Sequence, residues 1–184
     1  MNVMKGTKMG YNIKEKNILI AVAGGYDEHE FWFPYYRFKE AKANVIVAAP
    51  KKETIYSGWA KNVLPAEVDY DLHSIRDMEF DGIFIPGGLL NPLELRVNEA
   101  MLDILRKANR QNKWIAAICH APWVLVSAGL VKGKKIAAPA DMADDISNAG
   151  GIYVGEGAVK DGNIYTAVYY ALLPELFRLL LGEA

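Results

Sequence analysis

Four short apolar runs constrain this chain more than any other feature: 18–23 (I-L-I-A-V-A), 45–49 (V-I-V-A-A), 81–86 (D-G-I-F-I-P) and 113–118 (K-W-I-A-A-I). Each is stopped by glycine, proline or cysteine, and segments of helical period lie between them. Runs this short and continuous read as strands covered on both faces, because a half-exposed strand would alternate apolar and polar residues. Strands covered on both faces and separated by helices imply stacked βαβ units around a mostly parallel sheet, an α/β fold. The spacing predicts helices over 28–41, 98–110 (Met101, Leu102 and Leu105 on one face), 122–128, 141–149 and 172–181. Further strands are expected at 134–138, 152–154 and 164–167, while 54–71 is irregular and suits a hairpin or excursion. No repeat or linker interrupts the order. We therefore read one domain over 17–184, preceded by a loosely ordered extension over 1–16 whose methionines Met1, Met4 and Met9 single out no one start.

A chain of 184 residues can bury one sizeable core and leaves little room for a second catalytic domain. Its 21 basic and 22 acidic residues balance, so no overall field attracts nucleic acid or an anionic membrane, and a small molecule or peptide is the expected partner. The first sixteen residues have no apolar core of the kind a signal peptide or membrane span requires. One cysteine can form neither an internal disulfide nor a multi-thiolate zinc site, which suits a reducing, cytoplasmic setting without a structural metal. Gly24-Gly25 and Gly87-Gly88 fit neither G-x-G-x-x-G nor a Walker pattern, so no nucleotide cofactor, and no other, is expected.

That cysteine, Cys119, falls between the strand at 113–118 and the helix at 122–128. Such a junction lies at the carboxyl edge of the sheet, where open α/β folds bind ligands. The following helix start favours a thiolate, and backbone N–H groups after the cysteine can meet a developing oxyanion. His120, next in the chain, is a candidate base. Two plainer readings stand beside these: a lone cysteine as a small buried hydrophobe, and a histidine bonded to backbone. The aromatic set Tyr26, Phe31, Trp32, Phe33, Tyr35, Tyr36 and Trp123 also reads two ways, as core and oligomer interface or as the lining of an apolar pocket.

Three ordered motifs carry a resemblance. A-I-C-H-A-P at 117–122 with V-S-A-G-L-V-K-G-K-K at 126–135 resembles the nucleophile elbow of the ThiJ/PfpI family, within the class I glutamine amidotransferase-like superfamily. F-D-G-I-F-I-P-G-G at 80–88 resembles that family's strand and glycine turn, and Y-D-E-H-E-F-W-F-P-Y-Y-R-F-K-E at 26–40 its first helix. The resemblance implies a flavodoxin-like sandwich assembled as dimers or higher homo-oligomers. It implies Cys119 as nucleophile with His120 beside it, and an oxyanion hole from Gly88 and His120 backbone N–H groups. A family glutamate hydrogen-bonded to the cysteine matches Asp27, one methylene shorter; Glu28 and Glu30 are read as structural. The glutamate that a neighbouring subunit supplies to the histidine in the protease-like branch corresponds to Glu94 only if a gap is inserted. The family's S-S-R-x-P segment is Y-T-A-V-Y-Y here, with Val168 in the arginine's place and Tyr169 and Tyr170 available instead. Three functions follow: a cysteine-dependent hydrolase or lyase acting on small reactive carbonyl compounds or their adducts, an intracellular peptidase or amidase, or a non-catalytic stress or redox-sensing binding protein.

Overall fold

A computed structural model describes residues 12–58 and 65–182, so most of the extension expected at 1–16 and part of the irregular stretch at 54–71 lie outside the described residues. Strands β1 (Asn17–Ala21), β2 (Asn44–Ala49), β3 (Tyr70–Asp71), β4 (Gly82–Ile85) and β5 (Trp114–Ile118) are joined by helices α1 (Glu28–Glu40), α2 (Leu90–Leu95) and α3 (Glu99–Arg110). After β5 come α4 (Pro122–Ala128), β6 (Lys135–Ala137), α5 (Ala143–Asn148), β7 (Ile152–Val154), β8 (Ala158–Asp161), β9 (Ile164–Ala167) and α6 (Leu173–Leu181). Seven strands form one sheet in the order β3-β2-β1-β4-β5-β9-β8, parallel except for β8 against β9, and β6 pairs with β7 in a small parallel sheet of its own. The α/β sandwich expected from the sequence is therefore the fold. The strand β8 and the short helix α2 are additions that the sequence reading did not contain.

Period-two patterning explains why the sheet is covered on both sides. Leu19, Ala21, Ile83, Ile85, Ile115 and Ala117 pack with Met101 and Leu105 of α3 and Leu125 of α4. Their sequence neighbours Ile18, Ile20, Phe84, Trp114, Ala116 and Ile118 pack with Phe31 and Phe38 of α1 and Phe177 of α6. Every residue of β4 and β5 is buried, and each large apolar side chain so buried contributes roughly 1.5–3 kcal/mol. Among the described residues no helix is long and apolar enough to cross a membrane.

Strand order reverses between β1, whose connection leads outward to β2, and β4, which leads on to β5. Open α/β sheets bind ligands in the crevice at the carboxyl ends of the strands at such a reversal. Three loops reach that crevice here: 24–27 after β1, 86–89 after β4, and 119–121 after β5.

Candidate active site

Cys119 occupies a strained position. Its φ of 59° lies in the left-handed region that non-glycine residues rarely adopt, and its N–H donates to the carbonyl of Ala167 at 2.9 Å. The chain thus turns sharply off β5 before α4 begins at Pro122, lifting a half-buried thiol out of the sheet edge. The elbow expected from the sequence is present.

The loop after β4 comes up against this turn. Gly88 has φ of +83°, and a Cβ built on it would lie 2.4 Å from the Gly25 carbonyl oxygen and 2.8 Å from the Asp27 nitrogen. A Cβ on Gly87 would lie 2.6 Å from Cys119 Cβ. Only glycines let the two backbones approach this closely. Asn91, fully buried at the start of α2, holds the loop: its amide donates to the carbonyls of Pro86 and Gly87, and its oxygen accepts from the N–H of Ala23. Backbone N–H groups of Gly88 and His120 both point at the Cys119 sulfur.

The acid at the sulfur is Glu30. The sequence reading gave this place to Asp27, and the structure corrects it. Asp27 is the N-cap of α1, where its carboxylate accepts from the N–H groups of His29 at 2.9 Å and Glu30 at 3.3 Å and meets His29 Nδ1 at 3.2 Å. Glu30, three residues on, turns inward with 1% exposure, accepts from Gly87 N–H at 2.8 Å and shares a hydrogen bond with the Cys119 side chain. Glu28 faces away and accepts from the Ser57 hydroxyl at 2.6 Å.

Burial, and then the neighbouring Asp27 charge, push the Glu30 carboxyl up to about 8. Burial and the same two carboxyls push the Cys119 thiol up to about 12, against the pull of the His120 and Gly88 N–H groups. Burial and the nearby carboxyls thus oppose the lowering expected from the start of α4. A buried thiol beside two carboxyls forms its thiolate by passing the proton to a neighbour.

That neighbour is in place. His120 Nδ1 lies 3.2 Å from Cys119 Sγ, and its Nε2 lies 3.0 Å from Asp141 Oδ2. A carboxylate only accepts, so Nε2 carries the hydrogen and Nδ1 presents its lone pair to the thiol. Asp141 belongs to the turn Ala140–Met142 that leads into α5, and the sequence reading did not single it out. Glu94 sits on the exposed side of α2, lining a cleft of about 580 Å³ with Gly25, Glu53, Tyr56 and Leu90. Within one copy of the chain, the carboxylate that meets His120 is Asp141.

The aromatic residues divide between the two roles foreseen for them. Tyr26 and Phe31 are core, whereas Trp32 and Phe33 line an apolar cavity of about 440 Å³ with Leu173, Pro174 and a stacked His29–Tyr170 pair at 4.8 Å. Trp123 packs on the His120 ring at 5.1 Å.

A flavodoxin-like α/β sandwich with a cysteine on a left-handed elbow, a buried carboxyl against its sulfur and a histidine at its other side defines a class of protein. The chain belongs to the DJ-1/PfpI family, whose model matches residues 16–183. A deglycase of Pyrococcus horikoshii is 34% identical over 167 residues, covering 89% of this chain and 98% of its own length. Drosophila melanogaster DJ-1beta superposes with a TM-score of 0.82 at 28% identity over 91% of each chain. A two-domain protein of Anabaena variabilis with DJ-1/ThiJ/PfpI-like and ferritin-like domains superposes at 0.84 with 29% identity; this chain spans 91% of itself and 49% of that protein.

Proposed function

We propose that this protein is a cysteine-dependent hydrolase or lyase that removes small reactive dicarbonyls or breaks their adducts with amines. The reading rests on one observation, the line Cys119 Sγ–His120 Nδ1, His120 Nε2–Asp141 Oδ2, opposite the buried Glu30. The name deglycase carried by the Pyrococcus horikoshii relative supports the substrate class.

His120 takes the thiol proton and becomes an imidazolium steadied by Asp141, and the sulfur then adds to an electrophilic carbonyl carbon. Charge gathers on the carbonyl oxygen, where the N–H groups of Gly88 and His120 form the oxyanion hole. Glu30, on the opposite side, hydrogen-bonds the sulfur. His120 returns its proton to the oxygen, leaving a hemithioacetal. Moving the hydrogen on its carbon to the adjacent carbonyl carbon, and its hydroxyl proton to that carbonyl's oxygen, makes a thioester, which water cleaves to a hydroxy acid and the free thiol. An amine adduct first breaks its C–N bond as its hydroxyl proton passes to the leaving amine.

The same line of groups suits acyl transfer, because a Cys–His–Asp arrangement activates a thiol toward amides as well as aldehydes. The Asp141 contact on His120 supports this reading as well. Two assays decide. Consumption of methylglyoxal or glyoxal and release of free amine from their lysine and arginine adducts are compared for wild type and Cys119→Ala, and a fluorogenic peptide panel is run alongside. Loss of dicarbonyl turnover in the variant is expected, with peptides untouched; equal rates for the two proteins would refute the proposal, and peptide turnover alone would replace it with the peptidase.

A further inference from the structure

Asp141 should make a poor orienting acid by itself. Its side chain is 64% exposed, and an exposed carboxylate on a histidine gains little from holding one geometry against water. Something else has to fix where it stands.

The segment that carries it is anchored on two sides. Met142 and Ile146 are fully buried beneath it. On its outer side Asp145, four residues after Asp141, accepts a hydrogen bond from Trp123 Nε1 at 2.7 Å. Trp123 is three residues after His120 and packs on the His120 ring at 5.1 Å with the planes 40° apart. Two acids four residues apart, Asp141 in the turn and Asp145 on α5, therefore meet two rings three residues apart, His120 at the elbow and Trp123 on α4. Arg96 steadies the tryptophan, with its guanidinium carbon 5.8 Å from the ring centroid and its Nε donating to Ser127 Oγ at 3.1 Å.

We infer that Trp123 and Asp145 are positioning residues for His120: their hydrogen bond latches the 140–148 segment so that Asp141 stays on Nε2 and Nδ1 stays aimed at the Cys119 sulfur. Releasing the second rung lets the segment pivot on the first and lets the imidazole turn. The acid and its latch both come from the chain that carries the thiol. This inference rests on the reading of Cys119 and His120 as the working pair.

The chain's single cysteine gives a readout that needs no substrate, the rate of Cys119 alkylation by iodoacetamide as a function of pH. The groups that bear on that profile are Glu30 and Asp27 on the α1 side, His120 and Asp141 on the other, and Asp145 and Arg96 around Trp123. Trp123→Phe keeps a ring and loses the donor; Asp145→Ala loses the acceptor; Asp145→Asn keeps an acceptor oxygen. Losing the latch is expected to slow alkylation at pH 7 by about three- to tenfold in the first two variants and to move the profile to higher pH, in the direction of Asp141→Asn and by less. Asp145→Asn should stay within about twofold of wild type, and Glu94→Gln should be unchanged. The ¹⁵N shifts of the His120 ring should show the Nε2–H tautomer in wild type and a mixture of tautomers in Trp123→Phe. Folded Trp123→Phe with wild-type alkylation and wild-type ring shifts would overturn the inference, and that variant carries the test if Asp145→Ala does not fold. Absence of dicarbonyl turnover with the alkylation changes present would sink the proposed substrate and leave the latch standing.

Discussion

Glu30→Gln tests the core of the site through stability rather than through turnover. A carboxyl with an ordinary value of 4.5 that is pushed up to about 8 in the fold stays protonated in the native state while it ionises in the unfolded chain. Folding therefore takes up a proton between those two values. Its contribution is whole below pH 4.5 and is lost as the pH rises through 8, the reverse of a salt-bridged carboxylate. At about 1.4 kcal/mol per pH unit the gap sets a ceiling near 5 kcal/mol, and we expect about 2–4 kcal/mol once water and small shifts relieve part of the cost of burying the charge. Glutamine has the same shape. Its oxygen can still accept from Gly87 N–H, and its amide can still donate to the sulfur, but it does not titrate.

Urea unfolding followed by circular dichroism at pH 5 and pH 8 reads the difference, and every titration the two proteins share cancels between them. Wild type should lose about 1.5–3 kcal/mol relative to Glu30→Gln between these pH values, a change that the two pKa values limit to at most about 3.5 kcal/mol. Parallel pH dependence for the two proteins would refute the buried, protonated carboxyl. A variant equally destabilised at both pH values would show instead that the native carboxylate is charged and paired throughout.

Two further substitutions probe the loop that closes over the sulfur. Gly88→Ala places a Cβ 2.4 Å from the Gly25 carbonyl at a φ of +83°, so a loss of about 2–4 kcal/mol is expected, and an unchanged calorimetric Tm would contradict the close approach. Asn91→Ala leaves the buried Ala23 N–H without its acceptor and frees the carbonyls of Pro86 and Gly87, for an expected loss of about 2–4 kcal/mol together with an altered Cys119 alkylation rate; stability within experimental error of wild type would contradict that role.

What the sequence made legible were the features fixed by local chemistry. Continuous apolar runs imply strands covered on both faces, and β1, β2, β4 and β5 form where those runs lie. Pro122 at the start of α4 and Gly129 in the left-handed conformation after it mark that helix's ends, and the structure has it over the expected residues. Cys119 could be placed because a strand running directly into a helix leaves its junction residue at the sheet edge. The short helix α2 went unread because L-L-N-P-L-E-L has no polar cap, and its start is decided by Asn91 bonding backbone on two other segments. Asp141 went unread for the same physical reason: it reaches His120 across 21 residues, past an intervening strand, and nothing in A-D-M-A-D-D distinguishes a carboxylate that meets a ring from one that meets water. Even so, Asp141 and Asp145 lie four residues apart and the rings they face three apart, a pattern that becomes informative once α4 and α5 are known to be neighbours.

The exchange of Asp27 for Glu30 has a different cause, since the information was present locally. Asp27 stands directly before a helical run and Glu30 three residues after it, the D-x-x-E spacing of a helix N-cap and its N3 partner. In the usual capping box the N3 carboxylate reaches back to the N-cap backbone. Here it faces inward, where Gly87 supplies a backbone N–H and Cys119 a side-chain partner. Asp27 uses Oδ1 at the helix start, and the longer residue one turn on meets the sulfur. The same reasoning bears on chemistry. Asp27 at the cap is close enough to raise both Glu30 and Cys119, so the residue first taken for the acid works instead through its charge, helping to keep the real acid protonated.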